Sequence, residues 1–170
     1  METQIQSFAF SRRSPGHITL FGYSSKSIPG LEINGLGKYG KTLKEKIIFL
    51  TRSRQLPIPL NRYVISTEYD LDTDPNVVKW MDLPILMLYW YLAGLLKMGR
   101  LDNCLVAGHI TPSGEILEKT EECMVKLAQV ENWLCITSEP HLEQRIEASQ
   151  ILGHIPQLSF NPSCKMTLEI

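Results

Sequence analysis

Short apolar stretches that alternate with polar residues recur along the chain, and they predict six β-strands. Alternation indicates a strand with one buried face, because successive side chains of a strand point to opposite sides of the sheet. A Ser/Pro/Gly turn after the second strand predicts an antiparallel hairpin with the third, and "TPSGEI" predicts another return at Pro112 and Gly114. The predicted strands are residues 6–11, 17–24, 31–36, 62–69, 104–110 and 133–139.

Four other segments carry apolar residues at helical spacing. In the first, Leu43, Ile47 and Leu50 form an apolar face and the lysines and arginines lie largely outside it. The second contains an uncharged run that is apolar on every side, which indicates a helix buried in a core. This run lies between Asp82 and Lys97 and is shorter than the ~20 residues that a membrane span needs. The predicted helices are residues 43–54, 83–98, 118–130 and 140–152.

The order of these elements places antiparallel strand pairs first and strand–helix units later. The chain shows no internal repeat, low-complexity segment or linker, and 170 residues suffice for one domain with a full core. We therefore predict a single domain over residues 1–170, of mixed α+β class.

Composition adds an expected compartment to this picture. The 44% hydrophobic and 21% charged residues are ordinary for a globular protein. The four cysteines form no C-x-x-C pair, and Cys104 and Cys135 lie in apolar runs, which predicts free buried thiols. The N-terminal residues lack a basic region before an apolar stretch, so we expect no secretory signal. A reducing, cytoplasmic location and no membrane partner follow as expectations.

Charge divides the chain into two unlike halves. Residues 1–62 hold ten Lys/Arg and three Asp/Glu, a balance of +7, whereas residues 63–170 hold seven and fifteen, a balance of −8. Three interpretations remain open: a nucleic-acid face on the basic half, subunits that stack basic on acidic surfaces, or an ordinary solvated surface. The candidate contacts for an anion, DNA or a neighbouring subunit are Lys38, Lys41, Lys44, Lys46, Arg52 and Arg54.

The segment "GLGKYGKT" at residues 35–42 fits the G-x-x-x-x-G-K-T spacing of a phosphate-binding P-loop, between a predicted strand and a predicted helix. A P-loop nucleotide-binding protein is therefore the alternative function. Against it, the strand alternates apolar and polar residues, unlike a central parallel strand. Glu45 follows Thr42 by three residues, a capping-box pattern that predicts Thr42 as the N-cap of the helix and leaves Lys41 in solvent.

Other constellations are weaker, and we expect neither a metal site nor a cofactor. "DLDTDPN" at residues 70–76 imitates the start of a calcium loop, but Pro75 stands where the loop needs glycine and Met81 where it needs glutamate. Cys123 lies beside two glutamates, which disfavour a thiolate nucleophile. The histidines are scattered in the sequence and form no H-E-x-x-H motif; they are His17, His109, His141 and His154.

Several stretches resemble the N-terminal part of the magnesium-chelatase-like ComM family, in order and spacing over about residues 6–150. "SIPGLEINGL" (27–36) resembles the family's L-P-x-F-x-I-V-G-L segment, and "WMDLPILML" (80–88) resembles its R-F-D-L-P-I-A segment. "VAGHITPSGEI" (106–116) is similar to its G-E-L-x-L-x-G-E-L hairpin. The resemblance implies a two-layer Lon-protease-like fold, with a mixed sheet and an N-terminal antiparallel hairpin packed against helices.

The same resemblance implies that the domain is not an enzyme. Lon-type peptidases use a Ser nucleophile and a Lys base; here the Ser position falls near Asp82 and the Lys position near Cys123, so the dyad is degenerate. The family's ATPase is a separate downstream module linked to DNA branch migration, and it has no counterpart in these residues. The expected function is a non-catalytic pseudo-enzyme, an oligomerisation or binding module linked to DNA processing. Its expected partners are further copies of itself, DNA or a separate ATPase.

Overall fold

The computed structural model describes residues 1–10, 16–71, 74–96, 98–137, 145–146 and 159–161. Within these residues a seven-stranded mixed sheet has the order β3-β4-β2-β1-β5-β8-β9, and a three-stranded sheet has the order β10-β7-β6. The strands are β1 (Glu2–Ala9), β2 (Gly16–Ser25), β3 (Gly30–Asn34), β4 (Arg62–Thr67), β5 (Cys104–Leu105), β6 (Gly108–Ile110), β7 (Glu115–Glu118), β8 (Leu134–Ile136), β9 (Arg145–Ile146) and β10 (Ser159–Asn161). The helices are α1 (Gly37–Ser53), α2 (Pro75–Val78), α3 (Asp82–Leu92) and α4 (Glu122–Glu131), with a 3-10 turn at Lys79–Met81 before α3.

The N-terminal antiparallel hairpin is formed by β1 and β2, which pair from Glu2 opposite Tyr23 to Ala9 opposite Gly16. The predicted hairpin between β2 and β3 is wrong, because β4 lies between them. β4 is antiparallel to β2 and parallel to β3, so the chain crosses from β3 through α1 before it returns into the sheet. Three consecutive buried residues in β4 suit a central strand, whereas the alternating pattern of β3 suits the edge.

The other predicted elements agree with the structure to different degrees. The return at "TPSGEI" is confirmed: β6 and β7 are antiparallel, and the Gly114 N–H donates to the carbonyl of Thr111 at 2.9 Å. The second long helix is confirmed but ends at Leu92, and the third begins only at Glu122 because β7 occupies its predicted start. Of the predicted helix at 140–152, only Arg145–Ile146 is described, and it forms β9; the remainder lies outside the described residues.

The core occupies both faces of the large sheet. Ile5, Ile18 and Leu20 on one face pack in a cluster with the buried sides of α1 and α3, which form the predicted helical layer. Phe8 on the opposite face packs with Met124 and the rest of α4, which covers the β1-β5-β8 end. The predicted α+β class with a mixed sheet is therefore confirmed. No helix in the described part of the chain is long and apolar enough to cross a membrane.

The predicted free, buried thiols are confirmed for Cys104 and Cys135. Burial is the main cause that raises the pKa of each of these thiols to about 12. A raised pKa keeps both groups as neutral thiols at physiological pH, so they act as small apolar core residues.

Two buried hydroxyl groups allow a matched test of hydrogen bonding in this core. Ser7 Oγ has no hydrogen-bond partner among the described residues, whereas Thr51 Oγ1 donates to the Ile47 carbonyl at 2.7 Å and accepts from Trp90 Nε1 at 3.3 Å. Ser7→Ala should leave the free energy of unfolding unchanged or slightly raised, because no hydrogen bond is lost. Thr51→Val should lower it by about 1–3 kcal/mol, because the indole N–H stays buried and unpaired. Urea denaturation measures both changes. If Ser7→Ala lowers the free energy of unfolding as much as Thr51→Val does, the Ser7 hydroxyl is not unpaired.

Candidate functional site

Among the described residues, one carboxylate is buried, that of Asp82 at the start of α3. The 3-10 turn leads directly into the helix, so Asp82 lies in its first turn, where the helix dipole stabilises a negative charge. The side chain has 0% of its surface exposed. A buried charge is costly unless it is paired and hydrogen-bonded, so the groups around this carboxylate decide its role.

Four donors surround the two carboxylate oxygens. Tyr39 Oη donates to Oδ1 at 2.7 Å, and Lys46 Nζ donates to Oδ2 at 2.6 Å. His109 Nδ1 lies 2.6 Å from Oδ2, and the backbone N–H of Ile110 donates to the same oxygen at 3.2 Å. We call Asp82, Tyr39, Lys46 and His109 the Asp82 cluster.

Three elements position the cluster. Tyr39 and Lys46 are seven residues apart on α1, so two helical turns place them on the same side of the helix. β6 supplies His109 and the N–H of Ile110, and α3 supplies Asp82 itself. Asp82 is thereby joined to groups 27, 28, 36 and 43 residues away along the chain. The cluster therefore ties α1, α3 and β6 to one another.

The hydroxyl of Tyr39 is a hydrogen-bond donor within the cluster. Burial, and next the negative charge of Asp82, raise the pKa of Tyr39, so its hydroxyl stays a donor. An ionised carboxylate only accepts hydrogen bonds, so the proton of the His109 ring that faces it belongs on Nδ1. The side chain of Lys46 is 12% exposed and that of His109 is 26% exposed, so the cluster reaches the surface through these two residues.

This arrangement makes the Asp82 carboxylate a structural link between elements of the fold. With one donor on Oδ1 and three on Oδ2, the carboxylate is committed to hydrogen bonds in the folded chain. None of the described partners of Asp82 is a Ser, Thr or Cys side chain. The cluster connects α1, α3 and β6 within the fold.

The structure separates the two positions that the resemblance assigns to a degenerate dyad. Asp82 lies in the layer of α1 and α3, whereas Cys123 lies on α4, which packs on the opposite face of the sheet. The thiol of Cys123 is exposed and contacts Glu121 at 3.9 Å. Asp82 and Cys123 therefore do not form one site.

The candidate basic contacts also divide into groups. Lys46 is committed to Asp82, and the guanidinium group of Arg54 donates to the carbonyl of Ser113 at 2.9 Å. Lys38, Lys41 and Arg52 are exposed, and Lys44 is half-buried. The basic surface of α1 is thus smaller than the sequence predicts, because two of its six members bind within the fold.

Residues 35–42 form a strand-to-helix turn. α1 begins at Gly37 after Leu36, so Lys41 and Thr42 already lie inside the helix. A phosphate-binding loop needs this backbone as a loop whose N–H groups converge on an anion, whereas here it is helical. The predicted N-cap at Thr42 is wrong: the N-cap residue is Leu36, which makes no side-chain capping bond. Gly35 has φ of +86°, a left-handed conformation that turns the chain from β3 towards α1.

The acidic segment that imitates a calcium loop has another role at its end. Asp74 Oδ1 accepts the backbone N–H of Asn76 at 2.9 Å and caps α2, a four-residue helix with Pro75 at its start. Asp72 lies outside the described residues. Within the described ranges, no group of three or more His, Cys, Asp or Glu side chains could hold a metal ion.

The sequence alone does not predict the Asp82 cluster, although it contains one signal for it. Asp82 is the charge that opens an otherwise uncharged helix, and a charge in such a position needs a buried partner. The partners are distant along the chain, so their identity depends on the sheet order that brings α1 and β6 to α3.

In comparisons with known proteins, no family model matches the chain and no curated protein matches it. The likeness to the magnesium-chelatase-like family therefore rests on the sequence motifs alone.

Proposed function

We propose that the chain is a non-catalytic domain of the Lon-like type, resembling the N-terminal part of magnesium-chelatase-like proteins, that acts by self-association. The proposal has two parts: the absence of peptidase chemistry at the position of Asp82, and the pairing of basic and acidic surfaces between copies. The observation that supports it most is the environment of Asp82, which lies near the position of the Ser nucleophile of Lon-type peptidases. Its carboxylate is buried and bonded to Tyr39, Lys46 and His109.

The first part follows from what the Asp82 cluster can do. A Ser–Lys dyad needs a hydroxyl nucleophile beside an uncharged amine. The amine nearest to this position is Lys46, and it forms an ion pair with the carboxylate at 2.6 Å. An ammonium group held by a carboxylate has no lone pair with which to accept a proton. Among the described residues, Asp82 contacts no Ser or Thr hydroxyl and its neighbouring amine is ion-paired, which supports a non-catalytic role.

The second part follows from the distribution of charge. The chain carries +7 on residues 1–62 and −8 on residues 63–170, with a net charge of −1. Strong non-specific binding to DNA depends on a basic surface that neutralises several phosphates, and a near-neutral chain with a large acidic share is poorly suited to it. A second copy carries both a basic and an acidic half, so each half of one copy can pair with the oppositely charged half of the other.

The molecular mass in solution tests the proposal. Static light scattering coupled to size exclusion should give a mass above the 19.4 kDa monomer at about 20 mM salt, and a lower mass at about 500 mM salt, because salt screens exposed charges. A monomer in both conditions would remove self-association as the function. A larger mass that does not respond to salt would point to apolar contacts and would reject the charge-based mechanism.

A further inference from the structure

The large sheet has one face that is covered only in part. Ile18 and Leu20 of β2 point to the face that packs with α1 and α3, so Phe21 and Tyr23, at the alternate positions, point to the opposite face. That opposite face packs with α4 at its β1-β5-β8 end. Phe21 and Tyr23 are not part of that cluster, and both are exposed. We call the surface of β3, β4, β2 and the start of β1 on this side the open face.

Two loops at one end of the sheet, beside the open face, form an apolar projection. β3 and β4 are neighbouring parallel strands, so the loops that lead into them lie side by side. The Gly30 N–H donates to the Asn61 carbonyl at 3.2 Å and joins the two loops. Ile28 and Leu60 each lie two residues before the strand that follows, and they are 86% and 83% exposed. We call Ile28 and Leu60 the apolar tip.

A cavity of about 500 Å³ opens beside Phe21 and Tyr23. Glu2 and Gln4 of β1 lie opposite Tyr23 and Phe21 of β2, and these four residues line one wall of the cavity. Residues 100–102 line the facing wall. We call this the aromatic cavity. The tip is carried by β3 and β4 and the cavity by β2 and β1, so two strand spacings, ~10 Å, separate them and one contact surface can include both.

One unpaired charge accompanies the apolar tip, and one of opposite sign accompanies the aromatic cavity. Lys26 lies two residues before Ile28, and Glu2 lines the cavity; both are exposed. Neither takes part in an ion pair with another described residue. Other charges of this surface are paired with one another, Arg62 with Glu32 and Arg100 with Asp102. These positive and negative charges balance, so the surface offers a polyanion such as DNA no net attraction.

We propose that two copies of the chain pack open face to open face about a two-fold axis. The apolar tip of each copy enters the aromatic cavity of the other, and Lys26 of each copy meets the partner's Glu2. A two-fold axis brings one surface onto itself, so a projection and a cavity with opposite unpaired charges must lie side by side on that surface, as they do here. Phe21 and Tyr23 then lie near the centre of the contact, where interfaces are rich in aromatic residues.

This contact rests on the proposed self-association and adds a second, mainly apolar interface to it. Salt screens the attraction between exposed charges, whereas apolar contacts do not depend on that attraction. High salt should therefore dissociate the charge-based contact and leave the two-fold dimer, and low salt should join the dimers into larger assemblies.

Sedimentation equilibrium of the full chain at about 500 mM salt tests the two-fold contact. The wild type should have twice the 19.4 kDa monomer mass. Ile28→Ser with Leu60→Ser removes the apolar tip, so this variant should have the monomer mass over the same dilution series. The matched control, Phe49→Ser with Val130→Ser, removes two exposed apolar residues from α1 and α4 and should keep the wild-type mass.

All four substituted side chains are exposed, so thermal melting should find both variants folded like the wild type. A monomeric wild type at about 500 mM salt would overturn the two-fold contact. A tip variant that dimerises as well as the wild type, or an equal loss in the control, would overturn it too. The charge-based association is judged separately, by the rise in mass at about 20 mM salt. If that rise is absent while the dimer persists at high salt, the charge-based mechanism fails and the two-fold contact stands.

Charge reversal tests the orientation of the two copies without changing the apolar tip. Glu2→Lys and Lys26→Glu should each raise the dissociation constant of the dimer roughly tenfold, because each sets like charges against one another at two symmetric positions. The double variant restores opposite signs and should return the constant close to the wild-type value. A double variant as weak as the single ones would show that these side chains do not meet, and would overturn the docking of tip into cavity.

Discussion

Asp82→Asn is expected to lower the free energy of unfolding by roughly 3–5 kcal/mol, since breaking one partner of a buried ion pair leaves the other charge uncompensated. The amide keeps one acceptor oxygen but turns an NH₂ group towards donors. Lys46, His109 and the N–H of Ile110 then compete for fewer acceptors in a site where Asp82 has 0% exposure. Urea denaturation followed by tryptophan fluorescence measures the change.

The matched control is Asp102→Asn, the same substitution in an ion pair with Arg100 at the surface. Arg100 draws the pKa of Asp102 below its usual value, but the Arg100 side chain is 76% exposed, so water replaces the lost partner. The midpoint of unfolding for this control should barely move. Similar shifts for Asp82→Asn and Asp102→Asn would show that the Asp82 cluster does not hold α1, α3 and β6 together.

Gly35→Ala is expected to have the second large effect, because it combines an unfavourable backbone conformation with a steric clash. Gly35 has φ of +86°, where a side chain costs about 1–2 kcal/mol. A Cβ atom at this position would lie 1.7 Å from Thr67 Oγ1, the hydroxyl that donates to the carbonyl of Tyr69 at 2.7 Å. The total loss in the free energy of unfolding should exceed the strain alone and reach roughly 3 kcal/mol or more.

Two further variants separate the strain from the clash. Gly94 also has a positive φ, of +76°, but a Cβ there meets no atom within 4 Å, so Gly94→Ala should cost only about 1–2 kcal/mol. Gly35→Ala combined with Thr67→Ala should cost less than the sum of the two single changes, because the obstructing hydroxyl is gone. Equal losses for Gly35→Ala and Gly94→Ala would mean that the turn moves to accept the methyl group.

Local patterns along the sequence predict most of the strands and helices but not which strands pair with one another in the sheet. Short apolar runs identify β1, β2 and β4, but of these three only β2 alternates between buried and exposed residues, whereas β1 and β4 bury consecutive residues. Whether β2 pairs with β3 or β4 depends on which strand can be buried on both sides, and β4, with Tyr63, Val64 and Ile65 buried, takes the central position. The Ser/Pro/Gly turn was compatible with a hairpin, but this burial decided against it.

The candidate site was less predictable because its parts are far apart in sequence. By its charge Lys46 resembles the other lysines of α1, although its place two turns after Tyr39 directs it to Asp82. The segment "GLGKYGKT" is compatible with either a phosphate-binding loop or the start of a helix. The helix start is observed, but it lies six residues earlier than the capping pattern of Thr42 and Glu45 predicts. Residue type alone does not distinguish a lysine in solvent from a lysine in an ion pair.

The position of β4 also has a consequence for a chain that folds while it is being synthesised. The β1–β2 hairpin can form as soon as residue 25 leaves the ribosome, yet the second edge of β2 stays open until residues 62–67 follow. During that interval an exposed strand edge is available to other nascent chains, which is a recognised route to aggregation. The whole of β3 and α1 must be made before β4 closes that edge, so the order of synthesis delays the protection of the sheet.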